Sequence, residues 1–232
     1  MNDRKLDLIT ILFGIFLWLT TVFILSPILI IIVNAFNGAA YNVFPPQGFS
    51  LHWFDVVLNY PTFKPAIVNS IIVGLGAMAI AVITGTLAAR AFVKYTFRGN
   101  TVLRSLLFAP AVIPNIAIGA GLFLYYIRIG LYGGKFGLIL AHGLLGIPFV
   151  FSIITAVMVS LDPSLEEAAQ DLGATPRQTF MRVTLPQMQT GLIVSALFSF
   201  IISFDELETS LFLVRPKNNT LPIEMFLYLQ EK

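Results

Sequence analysis

Residues 167–186 read EAAQDLGATPRQTFMRVTLP, a polar and helix-forming stretch between two long apolar segments. The rest of the chain offers little other soluble mass, because 57% of its 232 residues are hydrophobic and only 11% are charged. Soluble domains carry about 25% charged residues, so this composition indicates a protein whose solvent is lipid. A compact charged element on one face of such a protein predicts a surface that binds a partner.

The helix signals of this region begin a few residues earlier, and residues 162–186 are called the connector from here on. Asp162–Pro163 reads as an N-cap followed by proline at the first helical position, and Ser164–Glu167 offers an alternative capping box. Gly173 supplies a left-handed terminator, and Thr175–Pro176 starts a second helix. The connector is therefore predicted to be two short helices joined at Gly173.

Five apolar segments dominate the rest of the chain. A helix needs about 20 apolar residues to cross a hydrocarbon core roughly 30 Å thick. The segments that reach this length are 8–33, 66–90, 105–127, 136–161 and 187–214. The first is too long for the apolar core of a removable signal peptide, which spans about 7–15 residues. We expect an all-α, polytopic membrane protein with one transmembrane domain over residues 1–232, and a helix break where Pro110 and Pro114 lie close together.

The Lys and Arg content of the short loops sets the expected orientation, because cytoplasmic loops carry the excess. With a cytoplasmic amino terminus, eight basic residues fall on the cytoplasmic side: Arg4, Lys5, Arg90, Lys94, Arg98, Arg104, Arg177 and Arg182. Six fall on the other side: Lys64, Arg128, Lys135, Arg215, Lys217 and Lys232. We therefore expect the amino terminus and the connector to lie in the cytoplasm.

The sequence lacks the characteristic residues of several functional classes. Without cysteine there is neither a disulfide nor a thiolate metal site. The sequence contains no GxxxxGK[ST] phosphate loop and no HExxH or GxSxG arrangement. A net charge of +2 is too small to indicate nucleic acid, and no internal repeat supports a self-contained secondary transporter. We expect a protein that is not an enzyme and that holds no metal or cofactor of its own.

Three carboxylates interrupt the fifth apolar segment, at Asp205, Glu206 and Glu208. On a continuous helix Asp205, Glu208 and Thr209 share one face, while Glu206 points roughly 100° away. Carboxylates that face lipid are costly, so the shared face is expected to look into the bundle or into a wet cavity.

Two interpretations of these acids stay open. In the structural one they cap a helix or bridge to Arg215 and Lys217, and in the functional one they line a path for a cationic or amine-bearing solute. Asn115, beside the proline break, and His142, within the fourth segment, are further candidates for that path. A structural hydrogen bond explains His142 equally well.

The spacing of residues in the connector is specific. Glu-Ala-Ala, three residues, Gly, nine residues, an aliphatic residue, any residue and Leu-Pro resembles the signature loop of permease subunits of type I binding-protein-dependent ATP-binding-cassette importers. The matching residues are Glu167, Ala168, Ala169, Gly173, Val183, Leu185 and Pro186. Segments 34–37, 51–54, 95–99 and 203–206 narrow the resemblance to the spermidine/putrescine permease branch, and within it to the second permease subunit.

This resemblance implies a coupling helix that docks in a groove of a cytoplasmic ATPase, with Glu167 as its acidic contact and Gly173 as its bend. The implied coupling residues are Glu166, Glu167, Ala168, Ala169, Asp171, Gly173, Leu185 and Pro186. The implied partners are a second homologous permease subunit, two ATPase subunits that bind ATP and Mg, an extracytoplasmic solute-binding protein and the lipid of a bacterial inner membrane.

The resemblance also implies a cargo, a polyamine or a similar amine-bearing organic solute. Related permeases of the same importer class carry amino-acid-derived and other small organic solutes, so a different cargo is the alternative. The family further implies six spans, and a sixth span, absent from this sequence, is therefore expected at the carboxyl end.

Overall fold

A computed structural model describes residues 8–39 and 43–231 of the chain. Within these residues the regular structure is helical, which confirms the all-α prediction, and one isolated β-bridge joins Asn37 to Phe49. Arg4, Lys5 and Lys232, which the orientation prediction uses, lie outside the described residues. The chain divides into two compact units at Tyr60, so the single domain over residues 1–232 stays a prediction.

The first unit holds α1 (Leu8–Ala35) and α2 (His52–Asn59). Asn37 organises the turn between them, because its side-chain Oδ1 accepts a hydrogen bond from the backbone N–H of Gln47 at 2.9 Å. The indole Nε1 of Trp53 donates to the carbonyl of Asn37 at 3.0 Å. The helix α1 has 28 residues and no charged side chain, and it is long and apolar enough to cross a membrane.

The second unit is built around three helices, α3 (Phe63–Lys94), α6 (Lys135–Ser160) and α10 (Gln189–Phe204). These helices pack against one another along most of their length. Phe151 of α6 is the largest of their fully buried side chains. Small residues allow helices to approach closely in lipid, and a Cβ atom at Gly85 of α3 would lie 2.7 Å from the side chain of Val150.

The third predicted span is broken. It forms α4 (Asn100–Val112) and α5 (Asn115–Ile129), which meet at an angle of 105°. The break confirms the predicted one and lies at Ile113 and Pro114, where proline forces the preceding residue out of the helical region. Pro110 stays inside α4 and does not interrupt it.

The fifth predicted segment, 187–214, is not a continuous helix. After α10 ends at Phe204 the backbone turns, and a short α11 (Glu208–Leu213) follows, so the assumption of one uninterrupted helix was wrong. The next element is α12 (Leu221–Glu231). Because of this break, the acidic residues do not lie on one regular helix face.

Three helices are each long and apolar enough to cross a membrane: α1, α3 and α6. Two bent pairs pass the same test together, and one of them is α4 with α5. The other joins Pro176–Gln187 to α10 at an angle of 73°. Counting each bent pair as one span gives five within the described residues, which is the number predicted from the sequence.

Candidate functional site

The connector folds as two capped helices, as predicted. In α7 (Pro163–Asp171) the backbone N–H of Ser164 donates to Oδ1 of Asp162 at 3.0 Å, and this bond lowers the pKa of the Asp162 carboxyl. The chain then turns at Gly173, whose φ of 88° lies in the left-handed region that glycine adopts most readily. Of the two predicted caps for α7, the structure uses Asp162.

The second half of the connector begins with α8 (Pro176–Thr179). A capping box holds its start, because the backbone N–H of Gln178 donates to Oγ1 of Thr175 and the N–H of Thr175 donates to Oε1 of Gln178. A single π-helical turn (Phe180–Thr184) and a short α9 (Leu185–Gln187) follow and lead into α10.

Glu166 ties the connector to the helical bundle. One oxygen of its carboxylate forms an ion pair with Nζ of Lys94, at the end of α3, and the other accepts a hydrogen bond from Oγ1 of Thr184, just before α9. Burial alone would raise the pKa of Glu166, but the hydrogen bonds from Lys94 and Thr184 and the charges of Lys94 and Arg90 together lower it. The side chain of Glu166 is 15% exposed and that of Lys94 is 37% exposed, so the pair lies near the surface with its carboxylate on the sheltered side.

Arg90 makes a second tie one turn earlier on α3. Its guanidinium carbon lies 3.9 Å from the centre of the Phe180 ring, which is a cation–π contact. Its Nη2 also donates to the carbonyl of Pro176 at 3.4 Å. The side chains of Arg90 and Lys94 therefore reach both halves of the connector.

The opposite surface of the connector is exposed. Glu167 lies next to Glu166 in sequence, yet within the described residues it forms no ion pair. Leu172, at the end of α7, is 89% exposed, and Leu165 and Met181 are about half exposed. The remaining predicted coupling residues are exposed at Ala168, Asp171, Gly173 and Pro186 and half-buried at Ala169 and Leu185.

A second polar cluster joins the two broken segments of the bundle. The amide Nδ2 of Asn115, at the start of α5, donates to Oε2 of Glu206 at 2.8 Å. The other oxygen of Glu206 accepts the backbone N–H of Thr209 at 2.8 Å, which caps the first turn of α11. Thr209 Oγ1 returns a bond to the carbonyl of Asn115 at 3.2 Å. Glu206 is only 6% exposed, and these bonds account for the turn after Phe204.

His142 completes this cluster from the side of α6. It is fully buried, and its Nδ1 and Nε2 lie 2.8 Å and 2.9 Å from the hydroxyls of Ser203 and Ser210. Ser210 in turn donates to the carbonyl of Glu206 at 3.0 Å. Nδ1 also lies 3.1 Å from the carbonyl of Ser203, so each ring nitrogen has a hydrogen-bond partner in either tautomer. The structural interpretation of His142 therefore fits its geometry.

The two remaining acids lie at the surface of this cluster. Asp205 and Glu208 are exposed, whereas Glu206 and Thr209 are buried, so the predicted shared face of Asp205, Glu208 and Thr209 was wrong. The reason is the break, since the helical repeat that the prediction assumed ends at Phe204. Within residues 8–39 and 43–231 no basic side chain forms an ion pair with any of the three carboxylates.

The predicted bridge to basic residues further along the chain does not form. Arg215 instead lies over the ring of Tyr132, with its guanidinium carbon 4.6 Å from the ring centre. Capping, the other structural interpretation, describes Glu206 but not its two neighbours.

Several residues of these clusters carry little or no signal in the sequence. Arg90 and Lys94 were counted only as basic residues for the predicted orientation. Their spacing of four residues at the end of an apolar helix nevertheless places both side chains on one face of that helix. Thr184 and Ser210 carry no such signal, because hydroxyl side chains are common in membrane helices for other reasons.

The chain is similar to permeases of known transport systems. A family model described as the inner membrane component of binding-protein-dependent transport systems matches residues 81–229. Over 211 residues the chain is 29% identical to the spermidine/putrescine transport system permease protein PotC of Haemophilus influenzae. This match covers 91% of this chain and 82% of the relative. It is 31% identical over 211 residues to the putrescine transport system permease protein PotI of Escherichia coli, covering 88% of this chain and 75% of the relative.

The fold is also similar to one solved by crystallography. The matching chain comes from the crystal structure of a bacterial ABC transporter involved in the import of the acidic polysaccharide alginate. The TM-score is 0.77, and the match covers 99% of this chain and 82% of the other. At 21% identity this likeness supports the fold alone.

Proposed function

Because the chain belongs to the family of inner membrane components of binding-protein-dependent transport systems, we propose that its connector docks on a cytoplasmic ATPase and couples ATP hydrolysis to solute import. The chain would supply one half of the solute pathway and a second, homologous permease subunit the other half. An extracytoplasmic binding protein would deliver the solute, and the amino terminus would be cytoplasmic.

The observation that carries this proposal is the two-sided character of the connector. Its inner side is fixed to the bundle through Glu166, while its outer side leaves Glu167 and Leu172 exposed. An exposed acid beside an exposed apolar side chain fits a groove with one basic residue and an apolar floor. Closure of two ATPases on ATP would then move the docked connectors and turn the pathway from inward-facing to outward-facing.

The double variant Glu167→Arg with Gly173→Trp tests this docking. Both positions are exposed and a Cβ at Gly173 would meet open space, but the φ of 88° at Gly173 strains any side chain there. Glu167→Arg alone, which keeps Gly173, is therefore measured beside the double variant, and its loss cannot come from that strain. We expect copurification of the ATPase and ATP-driven uptake to fall at least tenfold in the assembled importer. Retained ATP-coupled uptake would count against the docking surface.

We further propose a polyamine or a similar cationic organic solute as cargo. Asp205, Glu206 and Glu208 present three carboxylates beside a break in a membrane segment, and none is paired with a cation in the described part of the chain. Broken backbone at membrane depth is tolerated where it lines a wet cavity, and acids there mark solute pathways. The similarity to permeases whose names contain spermidine and putrescine supports the same cargo class.

The variant Asp205→Asn tests the cargo proposal. It removes one exposed charge and keeps the side chain's size, so the amount of assembled importer should not change. We expect uptake of spermidine and putrescine to fall about tenfold, the effect of about 1.4 kcal/mol in the interaction of cargo with the pathway. Unaltered uptake would remove Asp205 from the pathway and favour a different cargo of the same importer class.

A further inference from the structure

We propose that the ion pair of Lys94 and Glu166 is the joint through which motion of the connector reaches the helices of the bundle. Lys94 would be a positioning residue, because it contacts Glu166 and would act through it. This inference rests on the proposed docking of the connector on an ATPase.

Glu166 lies between the end of α3 and the start of α9. One oxygen of its carboxylate binds Lys94, the last residue of α3, and the other binds Thr184, just before α9 and α10. A push on α7 therefore reaches two of the three central helices through a single side chain. Both helices also pack against α6, so the three would respond as one body.

The packing beside the ion pair is interrupted. Beside the ion pair lies a cavity of about 150 Å³, whose wall includes Met158 of α6, Asp162 and Gln187. The helix α7 itself packs mainly against α8 and the π-helical turn, within the connector. The ion pair therefore links α7 to the end of α3, beside the direct chain link of α7 to α6 through Leu161.

Arg90 provides a complementary contact. It holds the other half of the connector through Phe180 and the carbonyl of Pro176. The connector is thus attached to the end of α3 at two points, one for each of its helices. Two attachment points resist rotation of the connector about Gly173, which a single contact would allow.

Charge exchange in the complete importer tests the joint. The importer is reconstituted with its ATPase and partner permease, and uptake of labelled putrescine and spermidine is measured together with the amount of copurified ATPase. We expect Lys94→Met to keep the ATPase bound and to lower uptake at least fivefold. Arg98→Met is the matched control, since Arg98 is also basic and exposed and lies four residues further on, and its uptake should match the unmodified importer.

The exchanged pair separates transmission from mere loss of a side chain. Lys94→Glu should lower uptake further than Lys94→Met, because it places a second carboxylate next to that of Glu166, and the two negative charges repel each other. Combining Lys94→Glu with Glu166→Lys should restore at least half of the uptake, and the hydroxyl of Thr184 can accept a hydrogen bond from the new lysine.

Each outcome decides the joint proposal. Normal uptake by Lys94→Met with bound ATPase overturns the joint and leaves the proposed function intact. An exchanged pair no better than Lys94→Glu alone also overturns the joint, as does loss of the assembled importer in Lys94→Met, which would make the contact a requirement for assembly. If the unmodified permease binds no ATPase, the proposed function fails, and the joint fails with it.

Discussion

Glu166 and Glu206 are both mostly buried glutamates that tie a helix start to a distant segment, yet they are held in opposite ways. Glu166 is held by a cation, Lys94, and by one hydroxyl. Glu206 is held by the neutral amide of Asn115 and by a backbone N–H. The charge of Glu166 is thus balanced inside the chain, whereas the described residues provide no counter-charge for Glu206.

This difference indicates different tasks for the two regions. A carboxylate whose charge is already matched has little to offer a charged solute and serves as a fixed contact. A carboxylate held only by neutral donors leaves its charge for an outside partner, and two exposed acids, Asp205 and Glu208, lie beside it. The connector would transmit motion, and the broken segment would receive the cation.

Removing the whole carboxylate of Glu206 should have the largest effect. Glu206→Ala leaves the amide of Asn115 and the N–H of Thr209 without acceptors, at a cost of about 1–3 kcal/mol for each buried group. We expect little folded permease in the membrane, measured as the monodisperse fraction after detergent extraction. Glu206→Gln keeps one acceptor oxygen for the N–H of Thr209, and its NH2 group can donate to Oδ1 of Asn115 once that amide flips, so it should extract normally. Equal yields for both variants would contradict the bonding described for this cluster.

The packing beneath the same cluster gives a somewhat smaller effect. A Cβ at Gly119 of α5 would lie 2.9 Å from the Cα of Thr209, so Gly119→Ala must push two backbones apart. Overpacking of this kind costs about 1–3 kcal/mol, which should lower the thermal midpoint of the purified permease. The matched control is Gly121→Ala, because a Cβ there meets no atom within 4 Å. A midpoint that falls as much in the control would show that helix composition, and not the contact with α11, is responsible.

The bend of the connector should respond to backbone conformation alone. Gly173→Val places a β-branched residue at a φ of 88°, which costs about 1–2 kcal/mol, whereas Asn adopts this region more readily. We expect uptake to fall in Gly173→Val and to stay near normal in Gly173→Asn. Comparable losses in both variants would indicate that the free surface at Gly173, and not its conformation, is needed.

The ion pair of Glu166 should show the smallest effect on stability. Its pKa is lowered in the folded chain, so its stabilisation is present above the ordinary value of 4.5 and is lost as the pH falls through the lower folded value. For a pair this close to the surface we expect about 0.2–1 kcal/mol. The thermal midpoint of the unmodified permease should exceed that of Glu166→Gln at pH 7, and the two should converge in acid. A gap that widens in acid would contradict the assigned direction.

Local signals made the connector predictable. The caps at Asp162 and Thr175 and the turn at Gly173 each depend on residues within a few positions of one another, and all three form as expected. The break after Phe204 gave no such signal, because neither proline nor glycine marks it. Its cause is a contact between Glu206 and Asn115, which lie 91 residues apart, and a single sequence does not show such pairs.

The joint at Lys94 was hidden for the same reason. The charge of Lys94 was explained by the predicted orientation in the membrane, and no nearby residue in the sequence indicated a contact with Glu166. The family resemblance located the connector and its outer surface, but it emphasised Glu167, which forms no ion pair in the described chain. The residue that holds the connector in place is its neighbour.

The contrast between the two regions is tested most directly in proteoliposomes that contain the complete importer. ATP hydrolysis stimulated by the binding protein and polyamine uptake are measured in the same sample. For Glu166→Gln we expect stimulated hydrolysis and uptake to fall together, because the joint no longer carries motion. For Asp205→Asn we expect uptake to fall while stimulated hydrolysis persists, because only the path of the cation has changed. Stimulated hydrolysis that survives in Glu166→Gln, or that is lost in Asp205→Asn, would contradict the separation of coupling from cargo.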